Sequence, residues 1–167
     1  MSFLEPADTT ERVHPIGIVK SVAAVNGWNY EEQGDDEVTL YVQGIWAQYD
    51  VSYTWLPEAE VLQVVCAFEF KIPERVRREV QGLMVLINEQ MWVGHFDLWQ
   101  DEGLILFRAP LVLAGGAEAS GAQCEWLLVH VLEVCEKYYQ AFQFVVWAGK
   151  SAREALEAAL FETKGEA

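Results

Sequence analysis

The sequence predicts an α+β domain: an antiparallel sheet, made of a meander plus a hairpin, covered by helices in the order α-β-β-β-β-α-β-β-α-α. Three observations predict it. From Trp28 to Phe70 apolar and polar residues alternate over consecutive segments joined by short turns, which is how an antiparallel sheet with one packed face reads. Helical apolar spacing with capping residues lies before, between and after the strand-like segments. With 167 residues and 52% apolar side chains, the chain has one domain's length and can bury a core without metal or disulfide.

The first helix is expected over Pro15 to Asn26. Proline suits the first helical position, Ile16, Val19 and Ala23 form one stripe, and Gly27 can close the end left-handed. His14 reads as a helix-entry residue. Four strands follow: a weak one over Trp28 to Gln33, then Glu37 to Gln43 after the Gly34-Asp35-Asp36 turn. The third alternates Ile45, Ala47, Tyr49, Val51, Tyr53 and Trp55 against polar neighbours, and the fourth alternates Leu62, Val64, Cys66, Phe68 and Phe70 beyond the Pro57-Glu58 turn. Pro73 opens a helix with Val76, Val80, Leu83, Met84, Ile87 and Met91 inward and Arg75, Arg77, Arg78 and Glu79 towards water. His95 to Gln100 and Leu104 to Leu111 form a hairpin about Asp101-Glu102-Gly103. Ser120 with Gln123 is a capping box for a long helix carrying Cys124, Leu127, Leu128, Val131, Leu132 and Cys135, and Ser151 with Glu154 opens a final helix through Leu156 and Leu160. The domain is expected over residues 13–162, with a flexible N-terminal tail at 1–12 and a C-terminal tail at 163–167.

Charge narrows the function. The chain has 26 acidic and 11 basic side chains, a net −15, so it lacks the basic face that binds nucleic acid. Its longest charge-free stretches, Val38 to Tyr49 and Tyr138 to Gly149, have twelve residues each, short of the roughly 18 a spanning helix needs. The acidic opening Met1 to Asp8 predicts no signal peptide. Cys66, Cys124 and Cys135 each sit in an apolar run, which suits buried free thiols in a cytoplasmic protein.

No catalytic constellation emerges, and the chain is read as a non-enzyme without cofactor or metal. The segment Gly116 to Gly121 has the glycine spacing of a phosphate loop, but Ala122 and Gln123 stand where Lys and Ser/Thr are needed, and Glu118 would repel an anion. Cys124 and Cys135 share a helix face about 16 Å apart, too far to share a metal or disulfide. The acidic run Glu31, Glu32, Asp35, Asp36, Glu37 lacks the ligand order of a calcium loop and reads as a solvated tip. His95 and Asp97 share a strand face, and a pocket between sheet and helices near His95, Asp97 and Arg108 offers the alternative of a small-molecule sensor or enzyme.

The aromatic surplus is more informative. If Val51, Tyr53, Leu62, Phe68, Phe96 and Leu98 pack under helices, the opposite face is expected to carry Tyr41, Trp46, Val65 and Trp99, a surface for a protein partner or a second copy. Trp126 and Val129 likewise add apolar area outside the main stripe of the long helix.

The run Leu86-Ile87-Asn88-Glu89-Gln90-Met91-Trp92-Val93-Gly94-His95-Phe96-Asp97-Leu98, with Val146-Trp147-Ala148-Gly149-Lys150-Ser151 near the end, resembles the bacterial YbjN-domain family over roughly Val13 to Leu160. The resemblance implies a sensory-transduction regulator with a fold similar to type III secretion chaperones, dimeric, and with no catalytic residues to transfer. Asn88 and Gly94, the matching positions, read as structural: a backbone-binding amide and a turn glycine. The leading expectation is a cytoplasmic protein-binding regulator or chaperone-like adaptor, a homodimer with an unidentified client. A purely structural homodimer is the other alternative.

Overall fold

A computed structural model describes residues 12–165. Its elements run α1 (Pro15–Asn26), β1 (Asn29–Glu32), β2 (Glu37–Gln43), β3 (Gln48–Leu56), β4 (Val61–Lys71), α2 (Arg77–Asn88, entered through a 3-10 turn), β5 (His95–Trp99), β6 (Leu104–Val112), α3 (Gly121–Val146) and α4 (Ala152–Gly165). That is the expected order. The expected N-terminal tail, Arg12 apart, lies outside the described residues, as do Glu166 and Ala167 of the C-terminal one.

All six strands pair antiparallel in the order β1-β2-β3-β4-β6-β5. The hairpin therefore docks through its second strand, leaving β5 at the edge. The reason is in the side chains. Ile105, Leu106 and Phe107 are buried in succession, so β6 is apolar on both faces and suits the interior, whereas β5 buries only Phe96 and Leu98.

One sheet face packs under the helices. Leu40, Val51, Tyr53, Val64, Cys66 and Phe107 meet Ile16, Val19 and Ala23 of α1, Leu83 and Ile87 of α2, and the buried stripe of α3. Phe68 lies at the centre of an aromatic cluster, 5.0 Å from Tyr139 and 5.7 Å from Phe142, both edge-on. The Tyr53 hydroxyl donates to the Cys124 carbonyl at 2.8 Å, so the buried phenol is satisfied where β3 meets α3.

Local chemistry sets the helix ends. His14 Nδ1 accepts from Ile16 N–H at 3.2 Å, and Gly27 closes α1 at φ +69°. At α3, Ser120 Oγ accepts from Gln123 N–H at 3.0 Å and Gln123 Oε1 accepts from Ser120 N–H at 2.9 Å, a complete capping box. The α4 start uses a tertiary neighbour as well: Ser151 Oγ accepts from Glu154 N–H at 3.3 Å, and Glu79 of α2 accepts from Ala152 N–H at 3.0 Å. Glu79 is thus more than a water-facing charge. Arg77 departs further from expectation, being half-buried with Nη1 donating to the Gln100 carbonyl at 2.7 Å.

Two other boundaries differ. β3 begins at Gln48, because Gly44 to Ala47 form a turn closed by a 2.8 Å bond from Gly44 N–H to the Ala47 carbonyl. α2 stops at Asn88, leaving Met91 half-buried in the link to β5. Among the described residues no helix is long and apolar enough to cross a membrane.

Candidate functional site

The link from α2 to β5 shows how the fold guards an edge. Asn88 Nδ2 donates to the Phe96 carbonyl at 3.0 Å, and Phe96 N–H donates to Asn88 Oδ1 at 2.8 Å. Gly94 turns the chain at φ +81°, and a Cβ there would lie 2.6 Å from Phe107 Cζ and 2.7 Å from the Arg108 carbonyl. Both residues have the structural roles expected of them.

Beyond this link, the open sheet face carries His95, Asp97 and Trp99 on β5, Arg108 on β6, Val65 on β4 and Tyr41 on β2. Its centre is small and enclosed: Thr39 and Leu106 are buried by their neighbours, although the helices pack on the other face. Tyr41 donates its hydroxyl to Glu31 at 2.9 Å, and Trp99 is 44% exposed at the opposite end of the strand order. The expected aromatic surface is therefore dispersed across the sheet.

His95, Asp97 and Arg108 do meet. Arg108 Nη2 lies 2.9 Å from Asp97 Oδ2, and Arg108 Nε donates to His95 Nε2 at 3.1 Å. The arginine bridges the other two, in place of a direct imidazole–carboxylate pair, and its fork is spent on neighbours from the adjacent strand. Much of the acidic run is engaged too: Glu32 pairs with Lys20 and Asp36 with His14, each at 2.9 Å. Glu118, in the glycine-spaced loop, accepts from Val13 N–H at 3.2 Å.

Trp46 does not share the open face. The expectation that placed it there assumed an unbroken strand from Ile45, whereas the turn after Gly44 carries Ile45 and Trp46 to the helix side. There they form one wall of a groove of about 600 Å³, with Leu132, Glu133, Glu136 and Lys137 of α3 and Glu162 of α4 as the other. Ile45 is 77% exposed and Trp46 38%. Glu136 fastens the turn: its Oε1 accepts from Ile45 N–H at 2.9 Å and lies 3.5 Å from Trp46 N. A side chain at Gly44 would collide with that carboxylate and with the Tyr49 ring. Below the turn Tyr49 is buried, and its hydroxyl and the enclosed Glu136 Oε2 make no hydrogen bond to a third group. Burial, and then the hydroxyl's interaction with the Glu136 carboxylate, hold the Tyr49 phenol far above its ordinary range.

A second apolar groove, about 460 Å³, runs along the first half of α3. Val93, Pro110, Leu111, Ala122, Trp126 and Leu127 line most of it. Trp126 stacks on His130 at 4.8 Å, and His130 Nε2 lies 2.8 Å from the Val93 carbonyl. The apolar excess of Trp126 and Val129 beyond the core stripe thus belongs to a partly exposed surface. Sequence reasoning missed Ile45 and Glu136 as groove residues. Gly44 was the available signal, since a glycine between two strands marks a turn, and the turn here takes in Ile45 to Ala47 as well.

These features define a two-layer α+β domain with apolar grooves beside its longest helix. The family model for YbjN, described as "Putative bacterial sensory transduction regulator", matches residues 15–144, and the chain belongs to that family. The structure described as "Crystal structure of YbjN, a putative transcription regulator from E. coli" matches with a TM-score of 0.54 over 88% of this chain and 93% of that one. At 10% sequence identity this likeness concerns the fold alone. No curated protein matches the sequence.

Proposed function

We propose that this YbjN-family chain is a non-enzymatic, cytoplasmic regulator or chaperone-like adaptor that acts by binding another protein in the groove between the Gly44–Ala47 turn and α3. The observation that carries this reading is the presentation of Ile45 and Trp46. Both are held outward by the half-buried Glu136 carboxylate, facing Leu132 on the helix side of the groove, when a purely structural turn would have no use for two large apolar side chains. Covering the remaining exposed area of Ile45 and Trp46 is worth roughly 1–3 kcal/mol together, enough to contribute to an interface. The regulatory description of the family supports the same reading.

The test is an affinity-tagged capture with light crosslinking, comparing the native chain with Trp46→Ser and Trp99→Ser. A protein retained by Trp99→Ser and lost with Trp46→Ser, and then shown to bind directly when purified, is the expected result. Retention of every captured protein by Trp46→Ser removes the groove from the function. Recovery of the chain alone, as a dimer that Trp46→Ser separates, assigns the groove to a homodimer instead.

A further inference from the structure

Taking the groove reading as its basis, we infer that the occupant is an amphipathic, basic protein segment: apolar side chains over Ile45, Trp46 and Leu132, flanked by lysines or arginines that meet the groove's carboxylates. Three acidic groups surround an apolar floor here, Glu133 and Glu136 on α3 and Glu162 on α4. Among the described residues none of the three enters an ion pair, while Glu60, Glu32 and Asp97 all do. The one cation in the groove lining, Lys137, has its ammonium 5.1 Å from the ring centre of Tyr138.

The recess beneath Gly44 and Ile45 is polar as well: Tyr49, 1% exposed, lines it, and its hydroxyl interacts with the enclosed Glu136 carboxylate. Uncompensated carboxylates beside apolar area repel one another until a cation arrives. A partner that brings both apolar contact and positive charge gains from each. A second copy of this chain fits less well, because it carries a net −15 and only 11 cations.

The probe is an 18-residue fluorescent helical peptide with leucine on one face and lysine on the other, beside twins carrying glutamine or glutamate for lysine. Binding by anisotropy is measured with the full chain, with Trp46→Ser, with Glu133→Gln/Glu162→Gln, and with Asp101→Asn/Glu102→Gln as a charge-matched control at the β5–β6 turn. The glutamine substitutions leave Glu136 and the turn it fastens intact. We expect the lysine peptide to bind the native chain, to lose about tenfold with the groove double variant and little with the control, and to weaken as salt rises.

Equal losses with both double variants would mean that the overall negative field attracts the peptide, and would overturn the inference. Equally tight binding of the glutamine twin, still lost with Trp46→Ser, would overturn the requirement for charge while leaving the groove as a protein site. No binding by any peptide, or a chain dimer that Trp46→Ser dissolves and the peptide cannot compete with, would also overturn it.

Discussion

Asn88 pairs with Phe96 as one strand pairs with another: its side-chain amide donates to the Phe96 carbonyl at 3.0 Å and accepts from the Phe96 N–H at 2.8 Å. Since β5 is the outer strand, these bonds satisfy backbone groups that would otherwise face outward, and they blunt an edge open to further strand addition. Asn88→Ala should destabilise the fold by about 2 kcal/mol, as two part-buried bonds are lost. Asn88→Asp should recover only part of that, because a carboxylate accepts from the N–H but cannot donate to the carbonyl. Urea unfolding of the three proteins checks this, and an alanine variant within about 0.5 kcal/mol of the native chain would show the amide to be incidental.

Gly94 and Gly149 both have positive φ, +81° and +66°, but their surroundings differ. A Cβ at Gly94 meets backbone and a core ring, whereas a Cβ at Gly149 meets nothing within 4 Å. Gly149→Ala should therefore cost only the left-handed conformation, about 1 kcal/mol. Gly94→Ala should cost at least about 2 kcal/mol more, because the Arg108 carbonyl cannot step aside without disturbing the β4–β6–β5 pairing. Equal thermal shifts for the two variants would contradict the crowding at Gly94.

Stability should fall in alkaline solution. Burial pushes the Cys124 thiol from 9.0 to about 11, and raises the Cys135 thiol and the Tyr49 and Tyr53 phenols above their ordinary values. Between pH 9 and 11 the unfolded chain has released the Cys124 proton while the folded chain retains it, so stability present below about pH 9 is lost as the pH approaches 11. Urea midpoints at pH 7.5, 9 and 10.5 should decline in that order. At pH 8 all three thiols should react with a disulfide reagent only after unfolding, because Cys66, Cys124 and Cys135 are buried.

Trp46→Ser and Trp99→Ser should each cost about 1–2 kcal/mol at most, because these side chains are 38% and 44% exposed and lie outside the core cluster. Phe142→Ala, in the aromatic cluster with Phe68 and Phe96, should cost roughly 3–5 kcal/mol. If Trp46→Ser lowers the melting temperature as steeply as Phe142→Ala, Trp46 is a core residue and its role in a groove fails.

Much of the fold was legible because it is encoded between near neighbours. Alternation in Leu62 to Phe68, helical spacing in Val80 to Ile87, the proline and glycine bounding α1 and the Ser120–Gln123 box all depend on residues within a few positions of one another, which a periodic reading captures. The roles of Asn88 and Gly94 could be read for the same reason, with a family likeness as guide.

The candidate site was less legible. Tyr41, Trp46, Val65 and Trp99 were gathered on one face by starting the third strand at Ile45, and the turn over Gly44 to Ala47 moves Trp46 to the helix side. The residue that holds that turn, Glu136, lies 91 positions from Ile45. No local pattern announces such a pairing, because its energy comes from two surfaces brought together by the whole chain.

The sequence by itself therefore determined the element order, the two-faced sheet, both ends of α1, the start of α3 and the strongly acidic character. Tertiary structure alone decided that β6 would sit inside β5, that Arg108 would bridge His95 and Asp97, and that Ile45 and Trp46 would face α3 across a carboxylate-lined groove. The physical reason is one of range. Backbone geometry and capping act over a few residues, whereas strand neighbours and site partners are chosen by burial and by the pairing of polar groups across the assembled layers.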